Sequence, residues 1–267
     1  MELFAYTFIQ YAFIGGICMA ILAGLIGPFV VQSRQAIASD MFAHVALAGI
    51  GAAVLFDVTP WWGALPTLCI VSTLVWWLLD KNYYTPDAIA MFFLSGSLAI
   101  ALALVHLARD QVFSFESYLF GSILTISQIE LIAIIITTVL IGCLVWLLWY
   151  PLLGATQQPR YLLPYRKTPQ VIQLLFFWIL AAVVWVGIKT IGGLLIGALL
   201  IIPVLIMRQW VDSFLRLTIG STLISLLSVT TGLLFSLQLD IPPSSLIIFV
   251  LIALFLCQLL IAKLRTL

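Results

Sequence analysis

Two residues in this chain have the types and the spacing to do chemistry together. Asp40 and His44 stand four positions apart in S-D-M-F-A-H-V-A-L-A-G, among alanines and ahead of a glycine. On an α-helix four residues turn through about 400°, so both side chains share one face. A carboxylate beside an imidazole is a donor pair for a first-row divalent cation. Two donors do not complete a tetrahedral or octahedral shell, so a second copy, another helix or water must supply the rest. A plainer reading uses the same residues. A helix starting at Met41 would take Ser39 or Asp40 as its N-cap, the side-chain oxygen accepting from free backbone N–H groups. His44 would then bond a neighbouring helix. Spacing alone does not choose between the two.

The elements that carry this pair belong to a membrane protein. Of 267 residues 64% are hydrophobic and only 8% charged, against about 25% charged in soluble domains, and mean hydropathy is +1.25. Apolar runs at 4–31, 41–57, 61–79, 88–107, 130–149, 171–188, 190–207, 217–238 and 244–262 approach or exceed the length that crosses a bilayer. The pattern predicts an all-α, polytopic transmembrane bundle of eight or nine spans, a single domain over residues 1–267. The first run has no basic start and no clear cleavage site, and reads as a retained helix. Residues 112–129 are broken by polar side chains and read as re-entrant or interfacial. The connection 150–170, rich in proline and basic residues, is too short for a domain.

Lysine and arginine set the orientation. With nine spans one set of connections holds Arg34, Lys81, Arg160, Arg166, Lys167, Arg208, Arg216, Lys263 and Arg265, and the other only Arg109 and Lys189. That asymmetry predicts a cytoplasmic C-terminus and an outer N-terminus. Trp61, Trp62, Trp76, Trp77, Trp146 and Trp149 cluster at span ends, as an interfacial belt would. Ala20/Gly24, Gly49/Ala53 and Gly193/Gly197 are small pairs at helical spacing that let helices approach closely.

Several functions are disfavoured. With a net charge of +1 and no basic patch, nucleic acid is not an expected partner. No G-x-x-x-x-G-K-[ST] is present to cradle nucleotide phosphates, and no H-E-x-x-H to build a membrane metalloprotease. Ser95-Gly96-Ser97 lacks a histidine partner and reads as packing. Cys18, Cys69, Cys143 and Cys257 lie in apolar runs without C-x-x-C spacing and read as buried small hydrophobes. The other ionisable residues near membrane depth are Asp57, His106 and Glu130, read as surface or interfacial groups.

Four blocks carry a family resemblance. They are G-P-F-V-V-Q-S-R-Q-A-I-A-S-D-M-F-A-H-V-A-L-A-G (Gly27–Gly49), Y-L-F-G-S-I-L (Tyr118–Leu124), T-I-G-G-L-L-I-G-A-L-L-I-I-P (Thr190–Pro203) and L-D-I-P-P-S-S (Leu239–Ser245). In order and spacing the chain resembles the membrane permease subunits of bacterial zinc, manganese and iron uptake ABC transporters. Ser122, Ser244 and the 150–170 loop depart from that pattern. The resemblance implies a type II ABC importer permease in the bacterial cytoplasmic membrane, not an enzyme. It implies a homodimer flanked by cytoplasmic ABC ATPase subunits that hold the ATP, fed by an extracytoplasmic metal-binding protein. No cofactor is expected on this chain; the divalent metal is cargo, and Asp40 and His44 correspond to the family's coordinating pair. The segment after Pro203 corresponds to the ATPase-coupling helix, with Arg208, Gln209, Trp210, Asp212 and Arg216 as coupling candidates. The alternative class is an ion-coupled secondary carrier working without an ATPase.

Overall fold

The computed structural model describes residues 6–108, 118–121, 123–157, 168–239 and 241–265. Among them are ten α-helices and no strand: α1 (Thr7–Gln32), α2 (Ala36–Leu55), α3 (Pro60–Asp80), α4 (Pro86–Leu107), α5 (Gln128–Leu147), α6 (Trp149–Gln157), α7 (Thr168–Thr190), α8 (Ile196–Arg208), α9 (Phe214–Leu239) and α10 (Pro243–Arg265). Ser122, Asp240 and residues 158–167 of the divergent loop lie outside the described residues, as do Arg109, Arg160, Arg166 and Lys167.

The helix boundaries follow local chemistry. Pro60 and Pro86 occupy first-turn positions, where the missing N–H costs nothing. Ser127 and Glu130 form a capping box at the start of α5: Glu130 N–H donates to Ser127 Oγ (3.3 Å), and Ser127 N–H donates to Glu130 Oε2 (2.8 Å). The short reversals after α1, α2 and α3 each place one residue at positive φ, Arg34, Asp57 and Asn82.

Among the described residues eight helices are long and apolar enough to cross a membrane. The expected span 190–207 is different. The chain turns at Gly192 (φ 96°), makes a 3-10 turn at Gly193–Leu195, and only then forms the thirteen-residue α8. At 1.5 Å per residue α8 is about 20 Å long, short of a ~30 Å hydrocarbon core. The turn is buried at depth. Thr190 packs near Gly15 of α1, while Leu200 and Val204 lie against Gly27, so α8 runs beside the second half of α1.

One end of the bundle gathers the polar connections. Phe29, Trp149 and Phe214 meet edge to face at centroid separations of 4.8–5.6 Å, pinning the ends of α1, α6 and α9 together. Gln170 donates to Asp80 (2.7 Å) and Gln258 to Gln209 (2.6 Å). Arg34, Lys81, Arg208 and Arg216 adjoin these connections.

Packing replaces anchoring at several tryptophans. Trp61 and Trp185 stack at 4.1 Å with planes 8° apart. Each indole N–H donates to the other's backbone carbonyl, at 3.0 and 2.9 Å. Trp61 is therefore a core residue that stitches α3 to α7, and Trp149 joins the aromatic trio; Trp62, Trp77 and Trp146 remain exposed as a belt requires. Gly24 lets α1 touch Thr222 of α9, and Gly49 lets α2 touch Thr67 and Gly63 of α3, the close approach expected of small residues. Ser97 bonds back to carbonyls of its own helix. Exposed surfaces are greasy, as on α5 (Ile132, Ile136, Val139) and α10 (Phe249, Ile252, Leu256), and Cys69, Cys143 and Cys257 are exposed rather than buried.

Candidate metal site

α2 begins at Ala36, a full turn before Asp40, with Gln35 at the N-cap making no side-chain bond. The capping role considered for Ser39 and Asp40 therefore does not occur. Ser39 is buried and its hydroxyl donates to Ala36 O (2.8 Å). No unwinding precedes Met41. Asp40 lies ~6 Å along the axis from the first residue of α2.

Most of α2 is sealed between α3, α4, α7 and α8, but one line of it is open. Ile37 and Asp40 are exposed, and His44, Ala48 and Ala52 partly so, following the three- and four-residue steps of a helix face. Beyond His44 the line enters a 330 Å³ apolar groove floored by Val45, Ala48 and Ala52 and walled by α3 and α4. His44 Nδ1 is buried and has no hydrogen-bond partner, an arrangement proteins rarely leave unless a ligand or water completes it.

Asp40 also has a neighbour across the helix interface. Gly197, the second residue of α8, has no side chain, and a Cβ there would overlap Asp40 Oδ1. The carboxylate thus sits against the first turn of α8, the positive end of its dipole. Gly193 and Gly197 do not form a packing stripe on one helix: Gly193 is in the 3-10 turn near Ala43, and Gly197 makes room for Asp40. Among the described residues no group of three or more His, Cys, Asp or Glu is placed to hold a metal.

The segment Val204–Arg216 forms no helix of its own. It is the end of α8, the turn 209–213 and the start of α9. Arg208, Gln209, Trp210, Asp212 and Arg216 are all exposed there. α8 joins this turn to the Asp40 contact over ~17 Å.

The sequence reading missed one constellation. Lys189, expected in a connecting loop, is in the last turn of α7 and buried, with its Nζ 3.0 Å from Glu130 Oε1. The same ammonium lies 5.9 Å from the ring centroid of Tyr118. Two charges far apart in sequence give no local signal; only the unusual burial cost of each hinted at a partner.

Among the described residues the chain is an all-helical bundle with eight helices long and apolar enough to cross a membrane, the architecture of a membrane subunit. The chain belongs to the ABC 3 transport family, which it matches over residues 5–262. It is a transport subunit rather than an enzyme, and in such systems ATP hydrolysis lies on a separate subunit. It is 31% identical to a probable metal transport system membrane protein of Treponema pallidum over 89% of each chain. It is 26% identical to a high-affinity zinc uptake system membrane protein of Buchnera aphidicola, covering 91% of this chain and 93% of that one. A manganese transport system membrane protein of Halalkalibacterium halodurans is 22% identical, over 95% and 87%. In fold the chain is similar to PsaBC from Streptococcus pneumoniae in complex with Fab, with TM-score 0.83 at 20% identity, covering 95% of this chain and 91% of that chain.

Proposed function

We propose that this chain is the permease of an ATP-driven importer for a divalent transition-metal ion, zinc, manganese or iron, held in transit by Asp40 and His44. One observation carries the reading: an exposed carboxylate and an unpartnered imidazole nitrogen share the only polar stretch of the open line on α2. Relatives named for zinc and manganese transport support it.

The donor count shapes the rest. Two donors per chain leave the shell unfinished, and a second copy facing the first across a two-fold axis would bring them to four. The homodimer, two cytoplasmic ATPase subunits and an extracytoplasmic metal-binding protein complete the assembly. By the positive-inside rule the end bearing Arg34, Lys81, Arg208 and Arg216 is cytoplasmic, with the C-terminus on that side. The exposed residues Arg208, Gln209, Trp210, Asp212 and Arg216 then receive the ATPase, and α8 carries its motion to Asp40. A transporter moves its cargo by holding it well in one state and poorly in the other. A shift of α8 along α2 changes what surrounds Asp40 and supplies that difference. Histidine binds metal only when neutral, so uptake falls on acidification.

The test is uptake by the reconstituted permease–ATPase complex. Asp40→Ala and His44→Ala should each abolish accumulation while the complex still assembles. Undiminished uptake in both would remove the assignment. Competition among zinc(II), manganese(II) and iron(II) then identifies the cargo.

A further inference from the structure

Glu130 and Lys189 are the one ion pair among the described residues, and the transport route sketched above does not use them. Their side chains are only 17% and 10% exposed. A buried pair is no bargain for stability, since well-packed apolar residues serve as well or better; its best-attested use is to specify a geometry. The geometry here is a joint. Glu130 is the capping-box residue at the start of α5, and Lys189 is in the last turn of α7, each at the helix end that favours its charge.

Immediately beyond Lys189 the chain enters a close backbone-to-backbone contact. Gly192 (φ 96°) lies against Phe120 and Gly121, and Gly121 (φ 79°) against Ile191 and Gly192; a Cβ on either would overlap the other's backbone. Tyr118, under the Lys189 ammonium, belongs to the same strip of chain as Gly121. On the far side of the joint Ile123 and Ile126 pack onto Gly16 and Gly15 of α1. From Gly192 the chain passes Gly193, beside Ala43 of α2, and reaches Gly197, under Asp40. Eight positions thus separate Lys189 from Gly197, and the closest contacts at Gly192 between them are to backbone.

We propose that Glu130 and Lys189 are positioning residues for the metal site: their ion pair holds the α7–α8 turn, and through it the first turn of α8, against Asp40. This rests on Asp40 and His44 being the metal donors. Loss of either charge leaves the other buried and unpaired, loosens the turn and moves the wall against which the carboxylate is set.

The experiment uses the full permease with its ATPase partner, Cys18, Cys69, Cys143 and Cys257 replaced by serine or alanine, and Ala43→Cys as reporter. Labelling of position 43 by a water-soluble methanethiosulfonate reads the joint independently of metal. Uptake of zinc(II) as the probe reads the site. Glu130→Gln keeps the capping box and removes only the charge. It and Lys189→Met should speed labelling and raise the zinc(II) concentration for half-maximal uptake about fivefold, with maximal rate less affected. Lys189→Arg should behave like the parent, and the double variant should be no worse than the worse single one. Wild-type labelling in Glu130→Gln, or additive effects in the double variant, would overturn the proposal; Glu130→Gln decides alone should Lys189→Met fail to assemble. Faster labelling with unmoved half-saturation sends the question to Asp40→Asn. If that variant shifts half-saturation, the link from joint to site is refuted. If it does not, the metal assignment itself fails.

Discussion

The molecule treats its deep ionisable groups in two opposite ways. At the α5–α7 corner Glu130 and Lys189 satisfy each other, the capping box takes the second carboxylate oxygen, and an aromatic ring lies beneath the ammonium. On α2 Asp40 is exposed and His44 keeps a buried nitrogen without a partner. Polar groups removed from water cost free energy unless they are bonded. The corner meets that cost within the chain and becomes rigid. On α2 the buried His44 nitrogen leaves that cost unmet, and in the proposed site a bound metal would meet it. The glycine-lined turn and the first turn of α8 connect the two regions.

The sharpest way to break this contrast is to remove the open pair. Asp40→Ala or His44→Ala should lower metal affinity about 100-fold, ~2.7 kcal/mol, read by equilibrium binding in detergent or nanodiscs, with thermal stability near the parent's. A marked loss of stability instead would mean that the pair is structural and the contrast false. A second test closes the free corner behind Asp40. Gly197→Ala puts a methyl group where Asp40 Oδ1 now lies and should raise half-saturation for uptake about tenfold. Overpacking should also cost about 1–3 kcal/mol; unchanged uptake would show that the carboxylate is not set by α8.

Gly192→Ala attacks the connection itself. Its positive φ and its contact with Gly121 leave no space for a side chain, so stability should fall by about 3 kcal/mol, measured as a lowered melting temperature of the purified permease. A smaller drop than that of Gly197→Ala would count against the turn as the rigid part. The mildest test concerns a paired site away from both. Trp61→Phe removes one of two reciprocal indole bonds and part of a stack. It should cost about 1–2 kcal/mol and leave the metal dependence of uptake unmoved.

Much of this architecture is legible in the chain. Nine apolar runs and their breaks predict eight or nine spans, and eight of the described helices are long and apolar enough to be spans. Asp40 and His44 stand out because charge is so scarce around them. Other features are illegible for physical reasons. Residues 171–207 form one nearly continuous apolar stretch, and hydropathy does not distinguish a helix that exits the membrane from one that turns inside protein. Gly192-Gly193 was the available clue to that turn, yet small residues also serve ordinary packing. Trp61 at a helix start looks like an interfacial anchor; only its stack with Trp185, on another helix, makes it core. The choice between cap and donor at Asp40 depended on whether the helix starts at Ala36 or Met41, and neither residue type forbids either start.

The sequence by itself determined the membrane setting and a count of eight or nine spans, and it singled out Asp40 and His44 by type and spacing, because each of these follows from transfer free energy or from spacing along a single helix. The tertiary structure alone decided that α8 is a short helix starting at depth, that Glu130 meets Lys189, and that Asp40 faces Gly197 while staying open on its other side. Those outcomes depend on which helices touch and how closely, and backbone contact between distant segments leaves no periodic trace in the chain.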